Sequence, residues 1–334
     1  MDKLFTMLKD VPRKLWVVIV GVLLIIIALP ALLTRPGLLD FSQTGQIGDT
    51  IGGTMGPFVA IIAAFLTFIA FWVQFMANQE LIKENRRNHF ENRFYKMLDI
   101  HIENVDKINQ LKKKGDSTFS EWCSELKNLN EGLVWEIERS DFYKKIRQSN
   151  SRDSYENEFW DLLDKMESST IERNRILFDV TYVYFFNKDY SFLPVETQTF
   201  VKILSANSNF IMNNIIVGKA KNEILGRYYR HLYQIVSFVD SQPDNLYDDF
   251  KWKSDYVGML RSQMSDYEQL LLYYNAQSPL GKAWDENHFI EKYKLIKNIP
   301  RKAISSCAGI TPSQRYLDEI KRVESKGEKF FERA

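Results

Sequence analysis

The chain is 334 residues long and electrically balanced, with 44 Lys and Arg against 43 Asp and Glu. The first 76 residues hold 5 of the basic and 4 of the acidic side chains, so the remainder is neutral as well. A neutral chain lacks the broad positive surface that wholesale binding of nucleic acid or anionic lipid requires. The two cysteines, Cys123 and Cys307, lie far apart in sequence and argue against a disulfide framework.

Two uncharged apolar runs near the N-terminus, residues 15–33 and 57–76, are each long enough to cross a bilayer as a helix. A helix rises about 1.5 Å per residue, so roughly 20 apolar residues match a hydrocarbon core of about 30 Å. We predict two transmembrane helices over these runs, joined by a glycine-rich exoplasmic connection over 34–56. A cleaved signal peptide is the competing interpretation of the first run, but that run exceeds the usual signal-peptide core of about 7 to 15 apolar residues.

Flanking charge orients the predicted hairpin. Basic residues precede the first run and follow the second, whereas Arg35 is the only one in the connecting segment. Because positive flanks stay in the cytosol, we expect both termini there and predict residues 1–14 as a cytosolic segment. The flanking residues are Lys3, Lys9, Arg13 and Lys14 before the hairpin, and Lys83, Arg86, Arg87 and Arg93 after it.

Helical periodicity dominates after the second run. Apolar residues recur at three- and four-residue steps from Phe90 to Ile108, which predicts a helical stalk over 77–111. Residues 112–334 are predicted to form a helical cytosolic domain, so the fold class is all-α. Within it, the short apolar run 176–186 indicates a buried core helix rather than a third span. Predicted helices cover 119–146, 155–166, 171–186, 194–217, 222–239, 247–275, 284–297 and 312–331.

Small residues fall at every fourth position near the start of the second run. On a continuous helix they would form one smooth stripe, a frequent basis of helix association in lipid, so oligomerisation is one hypothesis. A tight exoplasmic turn preceding a helix that starts at Pro57 fits the same glycines, and a re-entrant segment is a third arrangement. The sequence leaves these three arrangements open. The stripe comprises Gly48, Gly52, Gly56, Ala60 and Ala64, and Gly53 lies beside it.

Polar residues also recur on one face of the second run. Ala60, Thr67 and Gln74 are seven residues apart, so the two polar side chains either bond a neighbouring helix or line water. Because an unsatisfied amide or hydroxyl is costly in hydrocarbon, we expect each to have a partner. Asp49 is the only acid near this face. Together with the glycines, these residues are candidates for membrane packing or for lining a pore.

Catalytic signatures are absent from the sequence. It holds four histidines, and no spacing typical of a zinc site, a phosphate-binding loop or a nucleophile elbow occurs. We therefore expect no metal, no cofactor and no catalytic residue, and predict that the chain is not an enzyme. His101 falls among apolar residues of the stalk, which indicates a hydrogen-bonded core histidine.

A stretch of cations and aromatics, residues 226–233, offers an alternative to a purely membrane role. Such side chains can stack on exposed bases and contact a nucleic acid or another partner. The same stretch fits an amphipathic helix that buries its apolar face and turns its arginines to solvent. Arg227 and His231 lie closer together than the Arg and His of HEPN-type ribonucleases, which argues against nuclease activity. The candidates for partner contact are Arg227, Tyr228, Arg230 and His231.

Several blocks of sequence carry a family resemblance: residues 44–53, 70–74, 229–236, 261–265, 268–271 and 274–275. Together they resemble the phage abortive-infection proteins of the AbiC-like family, over about residues 41–300. The likeness is most specific in the glycine-rich block and in residues 229–233. It implies antiviral defence in bacteria by arrest or death of the infected cell, with the chain as a membrane-anchored effector or sensor. It supplies no catalytic residues.

A second resemblance concerns layout alone. Two-span chains of this kind are similar to effectors encoded beside some retron reverse transcriptases, where a complex of protein, RNA and reverse-transcribed DNA restrains the toxin. Because no motif matches, this likeness supplies only a partner hypothesis, an inhibitory complex that includes a reverse transcriptase.

The resulting prediction is a multi-pass protein of the bacterial inner membrane whose partners are the lipid bilayer and further copies of itself. Release from inhibition, or assembly, would let the hairpins permeabilise or depolarise the membrane. Two alternatives remain open: a membrane-tethered nuclease, and a sensor or binding module that recruits another toxin.

Overall fold

The computed structural model describes residues 47–111, 117–139, 142–149, 156–207, 220–300, 314–327 and 329–332, with seven isolated positions between residues 17 and 28. The regular elements in these ranges are helices, and no strand occurs among them. The all-α prediction is confirmed for this part of the chain. The chain divides into two compact units, residues 1–86 and 87–334.

The helices are, in chain order, α1 (Ile47–Asn109), α2 (Thr118–Arg139), α3 (Phe142–Ser149), α4 (Asn157–Ser168), α5 (Thr170–Asn187), α6 (Val195–Asn207), α7 (Asn222–Asp240), α8 (Trp252–Ser262), α9 (Asp266–Gln277), α10 (Lys282–Glu286), α11 (Phe289–Lys292) and α12 (Gln314–Ser325). Short 3-10 turns lie at Asp244–Leu246 and Pro279–Gly281.

Helix α1 begins earlier than the sequence predicts. The prediction placed 34–56 in a connection and started the second span at Pro57, whereas the helix already runs from Ile47. Gly52, Gly53 and Gly56 are helical, and a Cβ added at any of them would meet nothing within 4 Å. These glycines therefore belong to a continuous helix and not to a tight turn with positive φ angles. Pro57 lies inside the helix, where it removes one backbone donor.

One described helix, Gly52–Asn109, is long and apolar enough to cross a membrane. Its most apolar 18-residue window has no buried residue, unlike the core helix of a soluble domain. The predicted two-helix hairpin is not confirmed, because most of the first run, 15–33, lies outside the described residues. Seven positions of that run are helical, at residues 17, 20, 21, 24, 25, 27 and 28.

The second unit has an aromatic-rich core in which α5 is central. Leu177, Phe178, Tyr182 and Phe185 on this helix have no exposed surface, as the prediction of a buried core helix required. Helix α5 packs against α2, α4 and α7. Ser169 caps its start by accepting a hydrogen bond from the Glu172 backbone N–H at 3.3 Å.

The part of α1 that belongs to the second unit is held by a set of aromatic side chains that we call the aromatic clamp. Its centre is Phe90, whose ring lies 5.4 Å from Phe238, 5.3 Å from Trp252 and 4.8 Å from Tyr256 between centroids. Glu91 accepts hydrogen bonds from the hydroxyl of Tyr256 at 3.0 Å and from that of Tyr247 at 2.6 Å. The clamp comprises Phe90, Glu91, Phe94, Phe238, Tyr247, Trp252 and Tyr256.

Three long predicted helices are divided in the structure. Residues 119–146 form α2 and α3, and 284–297 form the short α10 and α11 followed by turns, with Lys294 at positive φ. Residues 247–275 divide into α8 and α9, because Ser265 starts a new helix with a capping box to Glu268. Periodicity alone misses such divisions, since the buried face continues across them.

Candidate ligand-binding cleft

A cleft of about 730 Å³ opens in the second unit among the end of α5, the first turns of α7 and the residues that follow α9. The position of Lys221 fixes one side of it. The Lys221 backbone N–H donates to the Phe186 carbonyl at 2.9 Å, and its ammonium pairs with Glu125 at 2.7 Å. These contacts hold the start of α7 against the end of α5. The cleft is lined by Phe186, Asn187, Phe192, Asn222, Glu223, Gly226, Tyr229, Arg230, Tyr233, Gln234, Asn275, Leu280, Gly281, Ala283 and Trp284.

The opposite side of the cleft is a tight turn at Gly281. A Cβ at this position would lie 1.9 Å from the Asn275 carbonyl oxygen, a distance that real side chains do not tolerate. Glycine therefore lets the turn close onto the end of α9. Asn275 is fixed in addition by its side chain, which donates to the Tyr182 hydroxyl at 3.0 Å.

Five aromatic residues are among those that line the cleft. Phe186 stacks on Tyr229 with 6.3 Å between centroids, and Tyr233 meets the edge of Trp284 at 5.3 Å. The Tyr229 hydroxyl donates to the Leu271 carbonyl at 3.1 Å, and burial raises its pKa well above the usual value. Tyr229 thus remains a neutral donor, and its ring is held in one orientation.

Three polar groups of the cleft lack partners among the described residues. Arg230 and Glu223 form no ion pair with another described residue, although both are charged. The side-chain nitrogen of Asn187 is buried and has no hydrogen-bond partner in the described part of the chain. A Cβ added at Gly226 would lie 3.5 Å from Arg230 Nη1 and 3.6 Å from Phe186 Cζ. The Arg230 guanidinium therefore lies over Gly226, close to the Phe186 ring. An exposed cation without a described ion-pair partner therefore lies beside an aromatic ring of the cleft.

The four residues predicted for partner contact lie in different surroundings. Arg230 lines the cleft, whereas Arg227 is exposed beside a smaller depression of about 200 Å³ that includes Lys107. Tyr228 is buried and donates to Glu268 Oε1 at 2.9 Å. His231 Nε2 lies 2.9 Å from the Met97 carbonyl, so this nitrogen donates. The structure does not bring the four side chains onto one surface.

Helix α7 instead matches the amphipathic alternative. Leu225, Tyr229, Leu232 and Val236 are buried on one face, while Tyr233 is half-buried and the arginines are exposed. The cations and aromatics that alternate in the sequence thus point in different directions from a single helix.

His101 occupies the core, as predicted, but without hydrogen bonds. Its side chain is fully buried, and neither ring nitrogen has a partner among the described residues. Its ring lies 6.5 Å from that of His231 between centroids. Burial first, and the neighbouring His231 second, lower the His101 pKa to about 4. The expected hydrogen bond is absent because its neighbours Tyr228 and His231 direct their polar atoms to Glu268 and the Met97 carbonyl.

The membrane-packing candidates all lie on α1. Thr67 donates to the Ala63 carbonyl at 2.7 Å, so its hydroxyl is satisfied within its own helix and needs no neighbouring one. Gln74 and Asp49 are exposed, as are the small residues described between Gly52 and Ala64. Gly48 is helical, but its surroundings lie outside what the structure describes.

Within the described ranges, no three His, Cys, Asp or Glu side chains lie close enough to hold a metal ion. Cys123 is a buried thiol whose Sγ lies 3.5 Å from the Tyr267 carbonyl oxygen, while Cys307 lies outside those ranges. Sequence reasoning missed Asn187, Gly281 and Trp284, because their role depends on which helices meet. The Pro279–Gly281 turn was the one local signal available.

The part of the chain that supplies most of the cleft residues also matches a known protein family. Residues 220–304 match the family model described as "Putative phage abortive infection protein". The resemblance to the AbiC-like family is thereby confirmed for this segment, which includes the cleft residues from Asn222 to Trp284. No curated protein and no solved structure matches the chain.

Proposed function

Since residues 220–304 match a family of phage abortive-infection proteins, we propose that this chain is a membrane-anchored effector of antiphage defence. In this proposal it acts without catalysis, by depolarising the inner membrane of an infected bacterium. The observation that carries the proposal is α1, whose residues 52–76 expose an apolar surface that water disfavours.

The exposed surface of α1 is large. Ile61, Phe68 and Phe71 are each more than 60 % exposed, and most other large apolar residues of the run are exposed as well. At about 25 cal/mol per Å² of apolar area, transfer of such a surface from water to lipid is strongly favourable. The helical backbone satisfies its own hydrogen bonds, as a lipid-exposed segment must. A bilayer is thus the environment that fits residues 52–76.

A continuous helix offers a route for control. Helix α1 has 63 residues, from Ile47 through the aromatic clamp to Asn109. In our proposal a change in the contacts of Phe90 and Glu91 alters the packing of this helix and, through it, the membrane segment. Assembly of several copies through the small-residue stripe, and restraint by an inhibitory complex such as a retron reverse transcriptase with its RNA and DNA, belong to the same proposal.

The energy for killing need not come from chemistry. Each charge that moves across a membrane held at 100 mV releases about 2.3 kcal/mol. A protein that opens a path therefore lets the existing potential collapse. The membrane-tethered nuclease gains no support from the geometry, because Arg227 and Arg230 line different depressions and His231 bonds a backbone carbonyl.

A sensor or binding module is the second candidate, and the cleft favours it. The cleft is of a size that small-molecule sites usually have, and Arg230 and Glu223 in its lining form no ion pair with another described residue. Sensing by the cleft and action by α1 are compatible in one protein.

The experiment is a paired substitution on α1 in the full-length chain. Gly52→Leu adds a bulky side chain to the small-residue stripe, whereas Thr54→Leu adds one about two residues away on the opposite face. We expect loss of depolarisation in triggered cells, reported by a potential-sensitive dye, for Gly52→Leu only. Equal depolarisation by both variants, at matched membrane levels, would contradict assembly through the stripe.

A further inference from the structure

We infer that the cleft binds a small molecule that joins a planar aromatic ring to a single anionic group. Nucleoside monophosphates and aromatic carboxylates share this chemistry. Binding of this kind goes beyond the membrane role, since it requires only the second unit and does not depend on how α1 acts.

The dimensions of the cleft suit such a ligand. Its volume of about 730 Å³ lies within the roughly 300 to 1,000 Å³ of small-molecule sites. Both of its sides are fixed, one by the Lys221 contact with Phe186 and one by the close approach of Gly281 to Asn275. A cleft built on fixed elements is formed before the ligand arrives, which limits the ordering cost of binding.

The aromatic surface specifies a ring. The half-buried rings of Phe186 and Tyr233 line the cleft, and each is packed against a buried ring, Tyr229 and Trp284 respectively. Planar ligands gain from offset stacking and edge contacts of this type beyond the burial of their area. An aliphatic ligand would forgo that gain.

Arg230 specifies the anion. Its guanidinium lies over Gly226 next to the Phe186 ring, and no carboxylate of the described residues pairs with it. Guanidinium presents a planar fork of donors that matches two oxygens of a phosphate or carboxylate. A ligand whose ring stacks beside Phe186 would place its anionic group within reach of that fork.

The charges that line the cleft limit the ligand to one anionic group. Among the described residues that line the cleft, Arg230 is the one cation and Glu223 the one carboxylate, a balance that disfavours ligands with several negative charges. One anionic group on the ligand therefore fits better than a polyphosphate or a nucleic-acid strand.

The test is isothermal titration calorimetry of the full-length protein in detergent with AMP, adenosine, inorganic phosphate and phenylacetate. We expect AMP or phenylacetate to bind one per chain and more tightly than adenosine or phosphate alone. The tighter of the two identifies the source of the anion. Absence of saturable binding by both at millimolar concentration would overturn the inference.

Matched variants separate recognition from folding. Arg230→Gln should weaken binding of the anionic ligand by at least about tenfold, whereas Arg227→Gln, three residues away on the same helix, should leave it unchanged. Equal effects of the two arginine variants would overturn the assignment of Arg230, whatever the outcome of the depolarisation experiment.

Discussion

Residues 52–76 and residues 87–109 belong to one helix, yet the first region exposes most of its large apolar side chains, whereas the second buries Phe90, Phe94 and Ile108 in the core. Phe68 is 63 % and Phe71 68 % exposed, whereas Phe90 is 3 % exposed and Phe94 fully buried. The backbone is helical throughout, so local hydrogen bonding does not distinguish the two regions. What differs is the environment of the side chains: protein aromatics cover one region, and we propose that lipid covers the other.

The largest expected effect on stability comes from removing the central ring of the aromatic clamp. Phe90→Ala removes a ring that contacts several others and should destabilise the second unit by about 3 to 5 kcal/mol, because a buried cavity remains. Denaturant unfolding followed by circular dichroism measures this loss. Phe75→Ala, in the exposed region, is the matched control and should leave the same transition in place. Similar losses for both variants would contradict the difference drawn between the regions.

A charge tests the exposed region directly. Leu66→Arg should oppose membrane insertion of residues 47–86 by about 2.5 to 3.5 kcal/mol, the cost of an arginine near the centre of a membrane helix. A reporter of helix insertion measures the inserted fraction. Ile82→Arg, beyond the apolar run, should have little effect. An unchanged inserted fraction for Leu66→Arg would mean that residues 52–76 do not lie in the bilayer.

Within the second unit, the cleft depends on a close backbone approach. Gly281→Ala places a Cβ against the Asn275 carbonyl and should cost about 1 to 3 kcal/mol of stability, with weaker ligand binding, as the turn is forced outward. Gly258→Ala on α8 is the control, since the nearest atom to its added Cβ is 3.9 Å away. That variant should gain up to about 1 kcal/mol from helix propensity. The two melting temperatures decide the comparison.

The smallest expected effect is the pH dependence of the unfolding free energy that comes from His101, in the buried region of α1. The folded-state pKa of His101 is about 4, below its ordinary 6.5, so acid favours the unfolded chain, which binds the proton more readily. Its contribution to stability is full above pH 6.5 and declines as the pH falls towards 4. Between pH 7.5 and pH 5.5 this amounts to about 1.4 kcal/mol.

The measurement for His101 is the difference in unfolding free energy between wild type and His101→Phe across that pH range. Asp179 acts in the opposite direction, since burial raises its pKa to about 7, but it does so in both proteins and cancels in the difference. A pH-independent difference for His101→Phe would contradict the buried neutral state.

Periodicity was sufficient to predict the helical class and the burial of α5. It did not predict where helices divide, because Ser265 interrupts 247–275 through capping while the buried face continues. It also placed Gly52 and Gly56 equally well in a turn or a helix, since glycine permits both backbones.

The cleft could not be predicted from the sequence, because its lining residues come from separate helices. Arg230 was identified as a candidate, but its neighbour in the cleft, Asn187, lies more than 40 residues away on another helix. Tyr228, identified with it, is buried against Glu268 instead. Only the packing of α5, α7 and the Gly281 turn decides which of these side chains share a space.

The most direct test of the proposed role of α1 is the membrane potential of single cells that produce either the full chain or residues 77–334 alone, each shown to be folded by circular dichroism. The account predicts depolarisation and death with the full chain after triggering, and normal potential and growth with residues 77–334. Killing by residues 77–334 at the same level would contradict it, because the apolar region of α1 would then be dispensable.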